Sequence, residues 1–259
     1  MTVEALARKG TKAAVAPLGV FSRRRRGDLV ILLYHRVGKG AGEIELPAAE
    51  LDRQLEHLAE HERVVALDHA LEDRDGGGVV VSFDDGSRDF ADGALPLLEK
   101  HRVPAVLYVA TGMIAEEGGE GLAWSQVEDA VASGLVTIGS HTHSHADLSR
   151  ADEWTSEDEM RRSKQLIEDR LGVACRHFAY PWAVGSTAAD RAARRLFDSA
   201  ALYAWRTNRL GRTDHHRLGR TPVLASDGPM FFRAKVRGML DGESVVYRVL
   251  RRGPWGRRA

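Results

Sequence analysis

Short apolar runs recur along this chain at residues 29–33, 79–81, 103–110 and 135–140. A run without polar interruption reads as a strand buried on both faces, the pattern of parallel rather than antiparallel sheets. Between the runs lie segments of helical period. Residues 47–62 carry Leu51, Leu55 and Leu58 among charges, and 87–101 carry Phe90, Ala94, Leu97 and Leu98, with Pro96 as a candidate kink. Further helices are predicted over 124–133, ended by Gly134, over 152–171, capped by Gly172, and over 187–196. Further strands are predicted over 64–67 and 200–205, and a strand and turn over 177–182. Alternation at this spacing, without an internal repeat, implies an α/β fold around a parallel sheet. Right-handed crossovers allow either a closed barrel or an open doubly wound sheet, and the pattern alone leaves both open.

At 259 residues the chain has enough length for a sizeable core. Lys and Arg number 37, as do Asp and Glu, which removes a global electrostatic case for nucleic acid. Local basic runs remain at Arg23–Arg26 and in the 251–258 tail, read as solvated ends or as peripheral contacts with a negative membrane surface. Cys175 is the only cysteine, so no intrachain disulfide or thiolate zinc cluster can form, which fits a reducing compartment. The apolar stretch 13–21 contains Pro17 and Gly19 and is too short for a span. The expectation is therefore a cytoplasmic protein, with or without peripheral membrane contact. Three segments are expected: an extension over 1–27 with a short amphipathic helix, an α/β body over 28–225, and a helical, basic tail over 226–259.

The run at 79–83 ends in Asp84-Asp85-Gly86. In parallel α/β folds the C-terminal edge of the sheet is where loops gather ligands and chemistry. Successive strand residues point to opposite sides, so the two carboxylates have different tasks: one to hold a cation, one to take a proton. A plain turn after a core strand is the competing reading. The strand at 135–140 runs into His141-Thr142-His143-Ser144-His145. Imidazoles four apart project to one side of a helical turn, and with Asp85 they make a three-ligand site open to water and substrate. His143 is expected to point elsewhere. His35, at the end of the first strand, is either a core residue or a proton donor at the same edge. Tyr180 and Trp182 offer flat faces for a sugar ring or simply fill the core. Residues 209–220 read as a solvated loop rich in Gly, Arg and His, and 231–240 as a helix docking on the body.

Ser82-Phe83-Asp84-Asp85-Gly86 and His141-Thr142-x-x-His145, followed by Phe178-Ala179-Tyr180-Pro181-Trp182, resemble three ordered motifs of the polysaccharide deacetylases, the NodB-homology family. The resemblance covers about residues 29–223. It implies a distorted (β/α) barrel, a divalent metal, often zinc, on Asp85, His141 and His145, and removal of acetyl groups from N-acetylated glycans. It further implies Asp84 as general base, the Trp182 backbone N–H as an oxyanion donor, and Tyr180, Pro181 and Trp182 as groove wall. The family's Leu-x-x-His motif, which supplies the general acid, has no copy after Trp182. Leu32-Leu33-Tyr34-His35 resembles that motif moved to the front, as in the permuted branch that includes exopolysaccharide deacetylases acting on poly-N-acetylglucosamine, with His35 as the acid. Ala179 stands where many members have an arginine beside the catalytic aspartate. Hydrolysis of another amide or an O-acetyl ester, and a silent carbohydrate-binding homologue, are the alternatives.

Overall fold

The computed structural model describes residues 27–38, 42–73, 76–114, 119–203 and 206–239. The expected N-terminal helix and both basic runs lie outside these residues. The strands in chain order are β1 (Asp28–Tyr34), β2 (Arg36–Val37), β3 (Glu45–Leu46), β4 (Gly78–Phe83), β5 (Ala105–Val109), β6 (Val136–Ser140), β7 (His177–Ala179), β8 (Ser199–Tyr203), β9 (Asn208–Arg209) and β10 (Leu218–Pro222). The helices are α1 (Ala48–His61), α2 (Leu67–Glu72), α3 (Leu95–His101), α4 (Trp124–Ala132), α5 (Glu153–Leu171), α6 (Thr187–Leu196) and α7 (Gly228–Val236).

Seven parallel strands, β1, β4, β5, β6, β7, β8 and β10, form a closed barrel. The ring shuts where β10 pairs with β1, with Thr221 opposite Leu32 and Pro222 opposite Leu33. β9 runs antiparallel against the start of β1. Strand alternation sorts the apolar residues into two cores. One, with Leu29, Ile31, Val80, Val106, Tyr108, Ala179, Ala201 and Leu218, fills the barrel. The other, with Val30, Leu32, Tyr34, Val79, Val81 and Phe83, lies between the barrel and the helices, where α1 adds Leu51, Leu55 and Leu58. α7 joins this outer core through Phe232 and Val236.

Three sequence expectations change. The strand expected at 64–67 is absent: Val64 makes one bridge to Val79, and the chain then turns into α2. Val65, Leu67 and Ala70 join the inner core, so this run packs into the N-terminal end of the barrel instead of adding a strand. Short apolar runs carry no periodicity that separates the two outcomes. The expected helix at 87–101 divides into a wide π turn over Phe90–Ala94 and α3. Pro96 sits in the first turn of α3, where its missing N–H costs nothing, so it starts a helix and does not kink one. The solvated loop expected at 209–220 instead ends in the first residues of β10, the strand that closes the barrel.

Inside the barrel, Gly139 makes room for the Tyr108 ring. A Cβ at position 139 would lie 2.5 and 2.7 Å from two ring carbons and 3.0 Å from the His177 carbonyl oxygen. The Tyr108 ring is fully buried and has nowhere to retreat. Gly139→Ala is therefore expected to destabilise the protein by roughly 1–3 kcal/mol through overpacking, read as a lowered denaturant midpoint with an unchanged slope.

Candidate metal and catalytic site

The inward rows of the barrel end, at its C-terminal mouth, in side chains of a different chemistry. Alternation carries the inward direction along β1 from Leu29 and Ile31 to His35. In β4 it carries from Val80 and Ser82 to Asp84, in β6 from Gly139 to His141, and in β10 from Leu218 to Arg220. By the same rule Asp85 would face the helices. Its backbone instead takes φ of 74°, and this left-handed turn returns its carboxylate to the mouth. Of the six non-glycine residues with positive φ among the described residues, Asp85, Thr142, His145, Trp182 and Ala183 lie at this mouth. Such strain costs on the order of 1–3 kcal/mol per residue and clusters where function holds the chain in place.

Asp85, His141 and His145 each offer a ligand atom, and these atoms lie within 4.8 Å of one another. Asp85 Oδ1 is 3.5 Å from His141 Nε2 and 3.2 Å from His145 Nε2. The His141 Nδ1–H donates to the Ala179 carbonyl at 2.8 Å, which leaves the Nε2 lone pair aimed at the carboxylates. The expected helical turn is not what aligns the two histidines. His141 continues the barrel ladder, its N–H donating to the Val109 carbonyl at 2.9 Å, and the next residues form a loop with left-handed Thr142 and His145. His143 turns away, its Nδ1 2.9 Å from Thr111 Oγ1.

Asp84 is 3% exposed and grips a fully buried arginine. Arg220 donates from both terminal nitrogens, at 2.5 and 2.8 Å, to the two Asp84 oxygens. The guanidinium lies over the Tyr108 ring, 5.3 Å from its centroid. Burial pushes the Asp84 pKa up, but the charges of Arg220 and His141 outweigh it and hold the group below the usual carboxylate range. Burial likewise opposes ionisation of Asp85, and the His141 and His145 imidazoles reverse it, holding that carboxyl far down. His35 is partly buried. Desolvation lowers its pKa, while the nearby Asp84 and Asp85 charges pull it back up.

The donor set suits a divalent cation. Two ionised carboxylates against one guanidinium leave a net negative charge. Beside it are two imidazoles, one with its Nδ1–H held by the Ala179 carbonyl, which is a ligand combination found in open metal sites.

Trp182 is 68% exposed, and its ring lies 5.2 Å from that of His145. Tyr180 takes the core-filling alternative. It is 2% exposed and packs edge-on against Phe178, so it presents no face to a sugar. Alternation explains this: Ala179 points into the barrel, so Tyr180 points out to the helices. Pro181, in the same turn, is buried. Arg220 is the functional residue that sequence reading missed. It occupies the role left open at Ala179, arriving from β10 instead of β7, and its one signal was a charge between Leu218 and Pro222 in a β-like segment.

With this geometry in view, residues 72–197 match the family model described as polysaccharide deacetylase. Over these residues the chain is similar to the polysaccharide deacetylases. The matched polysaccharide deacetylase segment contains Asp84, Asp85, His141, His145 and Trp182, and neither His35 nor Arg220. The poly-beta-1,6-N-acetyl-D-glucosamine N-deacetylase of Staphylococcus aureus is 25% identical over 115 residues, 40% of this chain and 40% of that protein, so the chain spans less than half of this curated relative. IcaB from Ammonifex degensii superimposes with a TM-score of 0.71 at 27% identity, covering 81% of this chain and 97% of that one. The Streptococcus pyogenes deacetylase PplD, in complex with acetate, superimposes with a TM-score of 0.74 at 21% identity, covering 82% and 99%, and shares the barrel fold.

Removing Arg220 would leave Asp84 buried and unpaired. Arg220→Ala is expected to cost about 3–5 kcal/mol near pH 7. The wild-type Asp84 pKa is lowered by folding, so its contribution to stability is present above the unfolded value and is lost as pH falls. In the variant, burial is no longer opposed by Arg220 and the Asp84 pKa rises, so the deficit should grow as pH rises from about 4 to 8. Urea titrations across that range check the sign; a deficit independent of pH would contradict the pairing.

Proposed function

We propose that this protein is a metal-dependent hydrolase that removes acetyl groups from an N-acetylated saccharide, with Zn2+ as the cation. The observation that carries the reading is the convergence of Asp85, His141 and His145 beside a second carboxylate that Arg220 keeps ionised. A divalent cation held there supplies a Lewis acid for the acyl oxygen and makes water nucleophilic at neutral pH. The S. aureus and A. degensii relatives support an N-acetylated glycan as the substrate class.

Asp84 acts as general base. Its Oδ2 lies 3.7 Å from His141 Nε2, so the carboxylate borders the cation site without belonging to the ligand triad. A water seated between Asp84 and the acyl carbon can give up its proton there as it attacks. Both Asp84 oxygens already accept from Arg220, which fixes the carboxylate plane and keeps it charged. His35 acts as general acid, protonating the leaving nitrogen so that an amine departs and not an amide anion. The Trp182 backbone N–H, in its left-handed turn, is assigned to the oxyanion. The exposed Trp182 ring beside His145 offers a stacking face for a sugar.

The permuted arrangement is part of this proposal. In a closed barrel β1 occupies the place after β10, because the two pair in parallel. A histidine at the end of β1 therefore stands where a strand following β10 would deliver one. The proposal also places the protein at the cytoplasmic face of a membrane, held peripherally by the basic runs at Arg23–Arg26 and 251–258. Sedimentation of the full chain with anionic vesicles, lost at high salt or with neutral vesicles, is the expected result.

Acetate release from a panel of N-acetylated oligosaccharides, with free amine appearing in equal amount and chelator abolishing both, tests the activity. Acetate without amine would instead identify an O-acetyl esterase, and no acetate with bound sugar a silent homologue. Asp84→Asn should abolish turnover and leave metal content nearly unchanged, whereas His141→Ala should lose the metal. His35→Ala should lower kcat by roughly 10²–10⁴ with the metal retained. Equal metal loss in Asp84→Asn and His141→Ala would contradict the division of roles.

A further inference from the structure

The loop that carries the two histidine ligands is held from outside the barrel by a side chain of α5. Glu159 Oε2 accepts the backbone N–H groups of His143 at 3.0 Å and Ser144 at 2.8 Å, and its Oε1 accepts the Ser144 hydroxyl at 2.9 Å. These donors lie between His141 and His145, in the stretch bounded by the left-handed residues Thr142 and His145. The opposite side of the loop rests on the segment after β5. There Gly112 N–H donates to the His143 carbonyl at 2.7 Å, Thr111 N–H donates to the Thr142 carbonyl at 3.3 Å, and Thr111 Oγ1 meets His143 Nδ1. Within the loop, Ala146 N–H donates to Thr142 Oγ1 at 3.1 Å.

The position of Glu159 is itself fixed. α5 is preceded by Asp152, whose side chain accepts the Thr155 N–H as an N-cap, and it is tied to the end of β6 by the buried Ser140–Ser163 hydroxyl pair at 2.9 Å. Ser156, Met160 and Ser163 form its buried face, and Glu159 stands beside Met160, level with the loop. A carboxylate that accepts two backbone N–H groups and a hydroxyl makes charge-assisted bonds, stronger than neutral ones. Three such bonds can offset the cost of two left-handed residues without any contact between Glu159 and the cation.

We propose that Glu159 is a positioning residue whose carboxylate locks the loop of His141 and His145 into its ligand-presenting shape and so sets the metal affinity of the site. The inference rests on the reading of Asp85, His141 and His145 as metal ligands. Without Glu159 the loop relaxes its left-handed residues, and His145 leaves the reach of Asp85.

The test is Zn2+ and Co2+ binding by the full chain, measured by chelator competition, together with the visible absorption of the Co2+ form. Glu159→Ala should weaken binding by about 10–100-fold, as loss of supporting hydrogen bonds to metal ligands does, and should alter the Co2+ bands. Glu159→Gln, whose carbonyl can still accept both N–H groups, should recover most of the affinity. Glu159→Asp, one methylene too short, should not, and it keeps the test open if the alanine variant fails to fold. Glu157→Ala serves as control, because that side chain pairs with Arg161 and Arg195 on the outer surface and not with the loop. Wild-type affinity and spectrum in both Glu159→Ala and Glu159→Asp would overturn the inference, as would equal weakening in Glu157→Ala. A wild-type chain that binds neither metal would overturn the ligand reading and this inference with it.

Discussion

The pair between Asp84 and Arg220 ties together residues 136 positions apart across the last seam of the barrel. Both groups are removed from water, a cost of several kcal/mol per ion that only good geometry repays. The geometry here is bidentate and planar, with Tyr108 beneath the guanidinium and Gly139 clearing space for Tyr108. The arrangement exists only if β10 has docked on β1 and β8, so closure of the ring and pairing of the Asp84 charge are one event. Arg220 Nε and the Tyr108 hydroxyl have no hydrogen-bond partner among the described residues. That residual cost marks this layer as one built for chemistry more than for stability.

Around the pair the backbone is bent in the same service. A strand delivers its last inward residue to the mouth without effort, which accounts for His35, Asp84, His141 and Arg220. It cannot deliver two neighbours to the same side. Asp85 reaches the site by leaving the strand conformation, and His145 does so within a loop pinned by Glu159, Thr111 and Gly112. The cluster of Asp85, His141 and His145 thus combines one residue placed by the barrel with two placed by strained turns, and the helices outside the barrel contribute to holding them.

Much of this was legible in order along the chain. The apolar runs located six of the seven barrel strands because burial on both faces leaves no polar alternation to confuse the reading. The convergence of Asp85, His141 and His145 was legible because their residue types and strand-end positions restrict what they can do together. The seventh strand, β10, looks like a loop in the sequence because it is short, contains Gly219 and carries an arginine. An inward charge looks like a loop residue until its partner is known. Tyr180 was open to two readings, although the alternation that turned Ala179 inward would have turned it outward.

The chain by itself determined the alternation of strands and helices, the strand ends that carry acid and imidazole groups, and the family motifs at 82–86 and 141–145. These depend on residue type and on local period, which survive in a linear string. Only the tertiary structure decided that the sheet closes, that Arg220 from the last strand serves a carboxylate on β4, and that α5 reaches the histidine loop through Glu159. Each of these joins segments distant in sequence, and which charge meets which is set by strand register and ring closure rather than by any neighbouring residue.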